Sequence, residues 1–231
     1  MKSLELAIVM PVYNEEAIIS KVVKDWLLRI KNINGVLIII NDGSKDNTLK
    51  SIKKFKDKKI KLINQKNAGH GPSILKGYSY ALKSKAKYIF QVDTDDQFFS
   101  RDFSKFWKKK KDYDFILGFR KKRYDNSARL VITRVLRAIL FIIFKVKILD
   151  ANIPYRLMKR EFLKYAFKNY NLNVNITNVF LSIIAAKKFK TFTLSVKHKE
   201  RKTGKVSLAN IKLFKYCFIS FLNIIKLRLS F

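Results

Sequence analysis

Strand-like and helix-like patterns alternate along the first half of the chain, and that order restricts its possible folds more than any other feature. Leu6 to Val12 is an apolar β-type run, Glu15 to Ile30 places Ile18, Val22, Trp26, Leu27 and Ile30 at helical spacing, and Val36 to Ile40 is a second β-branched run. Asn41-Asp42-Gly43-Ser44 then reads as a turn, and Lys45-Asp46-Asn47-Thr48 opens a helix reaching about Lys56, with Asp46 and Thr48 suited to capping it. Ile60 to Ile63, Tyr88 to Val92 and Phe115 to Leu117 are further strand candidates, with helices near 71–84 and 102–111 between them. A βαβα order predicts an α/β fold with a mostly parallel, doubly wound sheet flanked by helices. Ligands bind such sheets at the carboxyl ends of the strands, so the loops 11–16, 41–48 and 93–97 become the candidate site.

The chain has 231 residues, 48% of them hydrophobic, which excludes compositional disorder and suffices for one folded domain. Its 50 Lys and Arg against 17 Asp and Glu give a net charge of +33. Residues 126–231 hold only three carboxylate side chains, Asp150, Glu161 and Glu200, so that half cannot neutralise itself. Such a field suits a polyanion: nucleic acid, an anionic membrane surface, or a phosphorylated substrate. A single cysteine, Cys217, rules out an intramolecular disulfide framework and a thiolate metal centre. No segment reaches the roughly 20 apolar residues needed to span a bilayer, and the apolar stretch at the N-terminus is too short for a signal peptide. Residues 130–149 and 208–229 are instead long, apolar and punctuated only by Lys and Arg, or by Asn as well in the second, as expected of helices lying in a membrane interface.

Half of the carboxylates of residues 1–125 fall in the candidate loops: Glu15, Glu16, Asp42, Asp46, Asp93, Asp95 and Asp96. Alternate residues of an extended segment share a face, so Asp93, Asp95 and Gln97 can present three oxygen ligands together. Oxygen ligands of this kind suit Mg²⁺ or Mn²⁺, ions that keep waters and bridge substrate phosphates.

The segments IVMPVYNEE (8–16), IIINDGSKDNT (38–48), NAGHGPSILKGY (67–78) and FQVDTDDQF (90–98), in that order, resemble the nucleotide-sugar motifs of family 2 glycosyltransferases, inverting enzymes of the GT-A fold. The Asp-x-Asp-x-Gln form at Asp93, Asp95 and Gln97 is closest to the dolichyl-phosphate mannosyltransferase-like branch, whose acceptor is a polyprenyl phosphate. The resemblance implies that Pro11, Tyr13, Glu15, Asp42 and Asp93 bind the nucleotide-sugar, that Asp93, Asp95 and Gln97 hold Mg²⁺ or Mn²⁺, and that Asp95 is catalytic. His198-Lys-Glu-Arg201-Lys-Thr-Gly204-Lys205-Val-Ser207 resembles the family's Arg-x-x-Gly-x-Ser loop, which assigns the donor diphosphate to Arg201, as a catalytic residue, and to Lys205. His198 is expected at the surface in a basic loop, and a helix start accounts for His70 as well as a ligand role does.

An alcohol acceptor needs a general base, yet no Asp or Glu lies between Glu161 and Glu200, where many relatives that glycosylate alcohols carry one. A phosphate monoester is already anionic near neutral pH and needs none, so a lipid phosphate is favoured; Asp96, as a possible base, keeps a glycan hydroxyl open as the alternative acceptor. Arg120, Arg129 and Thr133 match the branch's arginine-containing strand end and Arg-x-x-x-Ser motif, and Arg156 lies in a segment resembling Asp-x-x-x-Gly-Phe-Arg, with Pro154 where Gly is usual. These four are the expected acceptor-phosphate ligands. The expected organisation is a transferase domain over 1–207 that includes the interfacial helix 130–149, then a membrane-associated segment over 208–231, acting peripherally at the cytoplasmic face. Nucleic acid is the least favoured polyanion, because no recognisable module for it is present and a carboxylate set without its metal repels phosphate.

Overall fold

The computed structural model describes residues 4–122, 127–200 and 210–231, without the side chains of 127–129 and 210–215. Its elements are β1 (Leu6–Val12), α1 (Ile19–Arg29), β2 (Gly35–Asp42), α2 (Thr48–Lys53), β3 (Ile60–Gln65), α3 (His70–Lys83), β4 (Tyr88–Val92), α4 (Phe103–Lys108), β5 (Phe115–Arg120), α5 (Ser127–Phe144), β6 (Tyr155–Lys159), α6 (Arg160–Asn169), α7 (Thr177–Lys188), β7 (Thr191–Val196) and α8 (Asn210–Leu229). A 3₁₀ turn, Ser100–Asp102, leads into α4.

The seven strands form one sheet in the order β3-β2-β1-β4-β6-β5-β7. Every residue of β1 is buried, which is why it reads as a continuous apolar run rather than an alternating one: helices cover both of its faces. Trp26 of α1 packs on Phe90, Phe103 and Tyr155 with ring centroids 5.4, 5.9 and 6.2 Å apart. On α3, a Cβ built at Gly77 would lie 2.3 Å from Val9 Cγ1, so the helix approaches β1 as closely as it does only because that position is glycine.

Six strands run the same way and β6 runs against its neighbours β4 and β5. β5 therefore ends, and β6 begins, at the same edge of the sheet. The chain between them, including α5, makes no crossover to the opposite edge, so α5 is not one of the face-covering helices that a strict βαβ order requires. This puts the carboxyl ends of β1, β2, β4, β5 and β7 and the start of β6 on one rim.

Helices α2 and α4 end early, at Lys53 and Lys108, and α1 and α5 differ from their expected spans for visible reasons. α1 starts at Ile19 rather than Glu15, because the backbone N–H groups of Glu15 and Glu16 bond across to Thr48 Oγ1 and Asp46 Oδ2 and hold that stretch as a loop. α5 stops at Phe144, where Lys145 turns left-handed (φ 56°) and its N–H donates to Phe141 O. Ile224 and Leu227 of α8 are buried in the common core, and Tyr216 donates to Asn175 O at 2.9 Å. No helix among the described residues is long and apolar enough to cross a membrane.

Candidate active site

The rim carries a cleft of about 160 Å³ whose lining includes Pro11, Tyr13, Glu15, Asp42, His70, Ser73, Asp93, Thr94 and Asp95. The three candidate loops thus meet, and hydrogen bonds lace them. Asn14 N–H donates to Ser44 Oγ at 3.0 Å and Lys45 N–H to Asn14 Oδ1 at 2.8 Å, while Glu16 Oε2 accepts from Asn47 N–H at 2.7 Å. Thr94 Oγ1 donates to Pro11 O at 3.0 Å and joins the β4 end to the β1 end. Asp46 and Thr48 act within this lacing: Asp46 Oδ1 accepts from Thr48 N–H at 3.0 Å, next to the start of α2.

Asp42, 4% exposed, is the pivot of the wall beneath the cleft. Its Oδ1 accepts from Gln65 Nε2 at 2.7 Å and Ala68 N–H at 2.9 Å, and its Oδ2 from Gly69 N–H at 2.8 Å. The next residue, Gly43, has φ +70° and leaves no room for a side chain, since a Cβ there would meet Asn67 N at 2.7 Å. Asp42 therefore sets the 65–69 loop and with it the start of α3.

Asp93 and Asp95 face the cleft from the β4 end. Asp93 Oδ1 lies 2.9 Å from His70 Nε2. Desolvation in the cleft opposes protonation of His70, but Asp93 and Asp95 outweigh it and raise its pKa above the usual value. Asp95 Oδ1 accepts from Gln97 N–H at 3.2 Å. Gln97 itself does not line the cleft; its Nε2 points to Lys199 O at 3.4 Å. Asp96 is also outside the lining, with Lys21 Nζ on one carboxylate oxygen at 2.6 Å and Lys199 Nζ on the other at 2.8 Å. Burial pushes its pKa up, yet the two lysines hold it below the ordinary value, which leaves a weak base with both oxygens engaged.

Among the described residues, no three His, Cys, Asp or Glu side chains converge to hold a metal ion alone. Two carboxylates opening on a polar cleft do fit a hard divalent cation that completes its shell with water and ligand phosphate.

Farther along the rim, β5 lies two strands from β4, about 10 Å at ordinary strand spacing. Arg120 at its end makes a two-point ion pair with Asp150, Nε to Oδ2 at 2.7 Å and Nη2 to Oδ1 at 3.0 Å. Thr133, Arg134 and Arg137 of α5 join Arg120, Lys121 and Lys122 around a basic pocket of about 380 Å³. A smaller cavity lined by Arg120, Thr133, Arg137, Leu136 and Asn152 adjoins it. Leu136 and Asn152 also line an apolar cavity of about 250 Å³ between α5, α7 and α8, walled by Val135, Ile139, Val179, Phe221 and Ile224. The basic pocket and the smaller cavity thus share Arg120, Thr133 and Arg137 as walls, and the smaller and apolar cavities share Ile132, Leu136 and Asn152.

Arg156, expected at the acceptor phosphate, is elsewhere. It is fully buried on β6, its guanidinium donating to the carbonyls of Ile153, Asn178 and Ala151, and burial lowers its pKa to about 10. A group enclosed on all sides meets no acceptor. His198 is not at the surface: it is 8% exposed, with its ring 5.3 Å from that of Phe98. Arg201 and Lys205 lie outside the described residues, as does the side chain of Arg129. Sequence reasoning missed the pairing of His70 with Asp93 and the gathering of Lys121, Lys122, Arg134 and Arg137 around one pocket; the Gly-His-Gly turn before α3 was the one local signal for the first.

The family model Glycosyl transferase family 2 matches residues 7–178. An uncharacterised protein of Methanocaldococcus jannaschii is 33% identical over 169 residues, 68% of this chain and 72% of that protein. A dolichyl-phosphate beta-glucosyltransferase of Trichomonas vaginalis is 33% identical across 38% of this chain, although the match spans only 28% of that enzyme. Among solved structures, glucosyl-3-phosphoglycerate synthase of Mycobacterium tuberculosis, in complex with Mn²⁺, UDP and glucosyl-3-phosphoglycerate, is similar with a TM-score of 0.70 and 12% identity, covering 97% of this chain and 80% of that one. Mannosyl-3-phosphoglycerate synthase of Rubrobacter xylanophilus gives 0.69 and 9%, covering 96% and 73%. At these identities the solved structures establish the shared GT-A architecture.

Proposed function

Because this chain belongs to glycosyl transferase family 2, we propose that it moves a sugar, with inversion, from a nucleoside diphosphate to a polyprenyl phosphate at a membrane surface. One observation carries the acceptor assignment: the basic pocket at Arg120, Lys122 and Arg137 and the apolar cavity between α5 and α8 flank one small cavity and share walls with it. A phosphate attached to a long apolar chain matches both halves, whereas a sugar hydroxyl matches neither. The dolichyl-phosphate glucosyltransferase relative supports the same reading.

In this reading Tyr13, Glu15 and Asp42 border the nucleoside, and Asp93 and Asp95 are the residues that would hold a divalent ion, Mg²⁺ or Mn²⁺. When bound, that ion supplies Lewis-acid stabilisation of the leaving group. Arg134, Arg137 and Thr133 orient the acceptor phosphate, whose own oxygen is the nucleophile. The engaged carboxylate of Asp96 suits such an acceptor, since no proton must be removed from it. Arg201, Lys205 and Arg129 are assigned to the phosphates by resemblance alone.

Membrane contact follows from the same helices. α5 exposes Val131, Val135 and Ile142 and carries the cations Arg134 and Arg137, and α8 exposes Phe218, Leu222 and Leu229. An apolar surface next to cationic side chains binds anionic bilayers peripherally. Purified protein is incubated with polyprenyl phosphate, radiolabelled nucleotide-sugars and Mn²⁺ or Mg²⁺. The expected product is an acid-labile labelled lipid, lost in Asp95→Ala; absence of that lipid with every donor overturns the acceptor assignment, and label in a glycan hydroxyl product replaces it.

A further inference from the structure

The turn that carries Asp95 is held from two separate parts of the chain. Asp96 has a left-handed backbone, φ 55°, a conformation that aspartate tolerates better than most residues with a side chain. Lys21 of α1 takes one of its carboxylate oxygens at 2.6 Å, and Lys199, just past β7, takes the other at 2.8 Å. The same Lys199 donates its backbone N–H to Gln97 O at 2.8 Å, and the other side of that residue, Gln97 N–H, bonds Asp95 Oδ1. Farther along, Phe98 and His198 form an antiparallel bridge and Lys197 N–H donates to Asp102 Oδ2 at 2.9 Å. The 197–199 segment thus lies along 97–102, and a chain of contacts leads from two lysines to the carboxylate of Asp95.

We infer that the Lys21–Asp96–Lys199 clasp is a positioning device that aims Asp95 into the cleft and keeps Asp96 out of it. Three carboxylates occur within four residues here, and a divalent ion offered all three has competing ways to bind. Engaging Asp96 with two ammonium groups leaves Asp93 and Asp95 as the pair that faces the cleft. The inference rests on the reading of the cleft as a metal and diphosphate site, and it makes Lys21, Asp96 and Lys199 positioning residues rather than catalytic ones.

The test is Mn²⁺ binding, followed by the electron paramagnetic resonance signal of the free ion, with and without uridine diphosphate as probe. Asp96→Ala is expected to weaken Mn²⁺ binding about tenfold, at the low end of what loss of an outer-shell partner costs a metal site. Lys199→Met gives a smaller loss. The double variant is no weaker than Asp96→Ala alone, because both changes remove one shared interaction. Thermal unfolding without metal reports whether each variant is folded; if Asp96→Ala is not, Lys21→Met/Lys199→Met serves in its place with the same expected weakening. A merely structural role lowers the melting temperature and leaves the Mn²⁺ affinity of the folded protein unchanged, and that result overturns the clasp. Additive losses in the double variant overturn it as well. Failure of the unaltered protein to bind Mn²⁺ even with the probe overturns the metal reading and the clasp together, whereas normal binding with an unaffected Asp96→Ala overturns the clasp alone.

Discussion

Replacing Asp42 by asparagine tests how the donor cleft is held. The carboxylate is 4% exposed and accepts three hydrogen bonds, two on Oδ1 and one on Oδ2. Asparagine keeps one accepting oxygen. If that oxygen takes the Oδ1 place, the new amide N–H₂ faces Gly69 N–H, donor against donor, and the two retained bonds lose their ionic character. Leaving a buried donor unsatisfied costs ~1–3 kcal/mol and weakening the other two adds ~1 kcal/mol, so the expected loss is about 3 kcal/mol. At ~2–4 °C per kcal/mol for a chain of this size, the melting temperature falls by about 6–12 °C. Calorimetry and urea unfolding, compared with Gln65→Ala as a one-bond control, measure it. A loss below about 1 kcal/mol, or one equal to that of the control, refutes the claim that Asp42 organises the 65–69 loop.

Gly77→Ala places a Cβ 2.3 Å from Val9 Cγ1; overpacking of ~1–3 kcal/mol outweighs the gain of up to ~1 kcal/mol in helix propensity, and the urea midpoint falls. Arg156→Met removes a buried guanidinium that serves three carbonyls. It is expected to destabilise by ~2–4 kcal/mol in denaturant unfolding, and an Arg156 variant with normal stability but a raised acceptor KM would return this residue to the acceptor site. Phe218→Glu/Leu222→Glu alters two exposed residues of α8; vesicles containing anionic lipid should bind this variant several-fold less in co-sedimentation, while its melting temperature stays unchanged.

Local pattern made much of the fold legible. β1 and β4 appear at their expected residues because a buried parallel strand is a short apolar run with a clear end, and Leu6–Val12 and Tyr88–Val92 are such runs. The loops that follow them carry carboxylates that no apolar environment would tolerate, so Asp42, Asp93 and Asp95 announced the cleft. Elements β6, α6, α7 and β7 went unread, although β7, Thr-Phe-Thr-Leu-Ser-Val, alternates polar and apolar residues at the strand period; the reversed direction of β6 leaves no mark in its own residues. Arg156 shows the same limit, since an arginine reads as a surface cation until the carbonyls of other segments are seen to enclose it.

The sequence by itself determined the α/β order, the strand ends that bear the acids, and the +33 charge that calls for an anionic partner. Only the tertiary structure decided which of those charges act. It encloses Arg156, ties Asp96 between two lysines, pairs Arg120 with Asp150, and gathers Lys121, Lys122, Arg134 and Arg137 around one pocket. The physical reason is range: hydrophobic period and turn chemistry act over a few neighbouring residues and are written locally, whereas the setting of a charge depends on residues brought to within a few ångströms from distant parts of the chain.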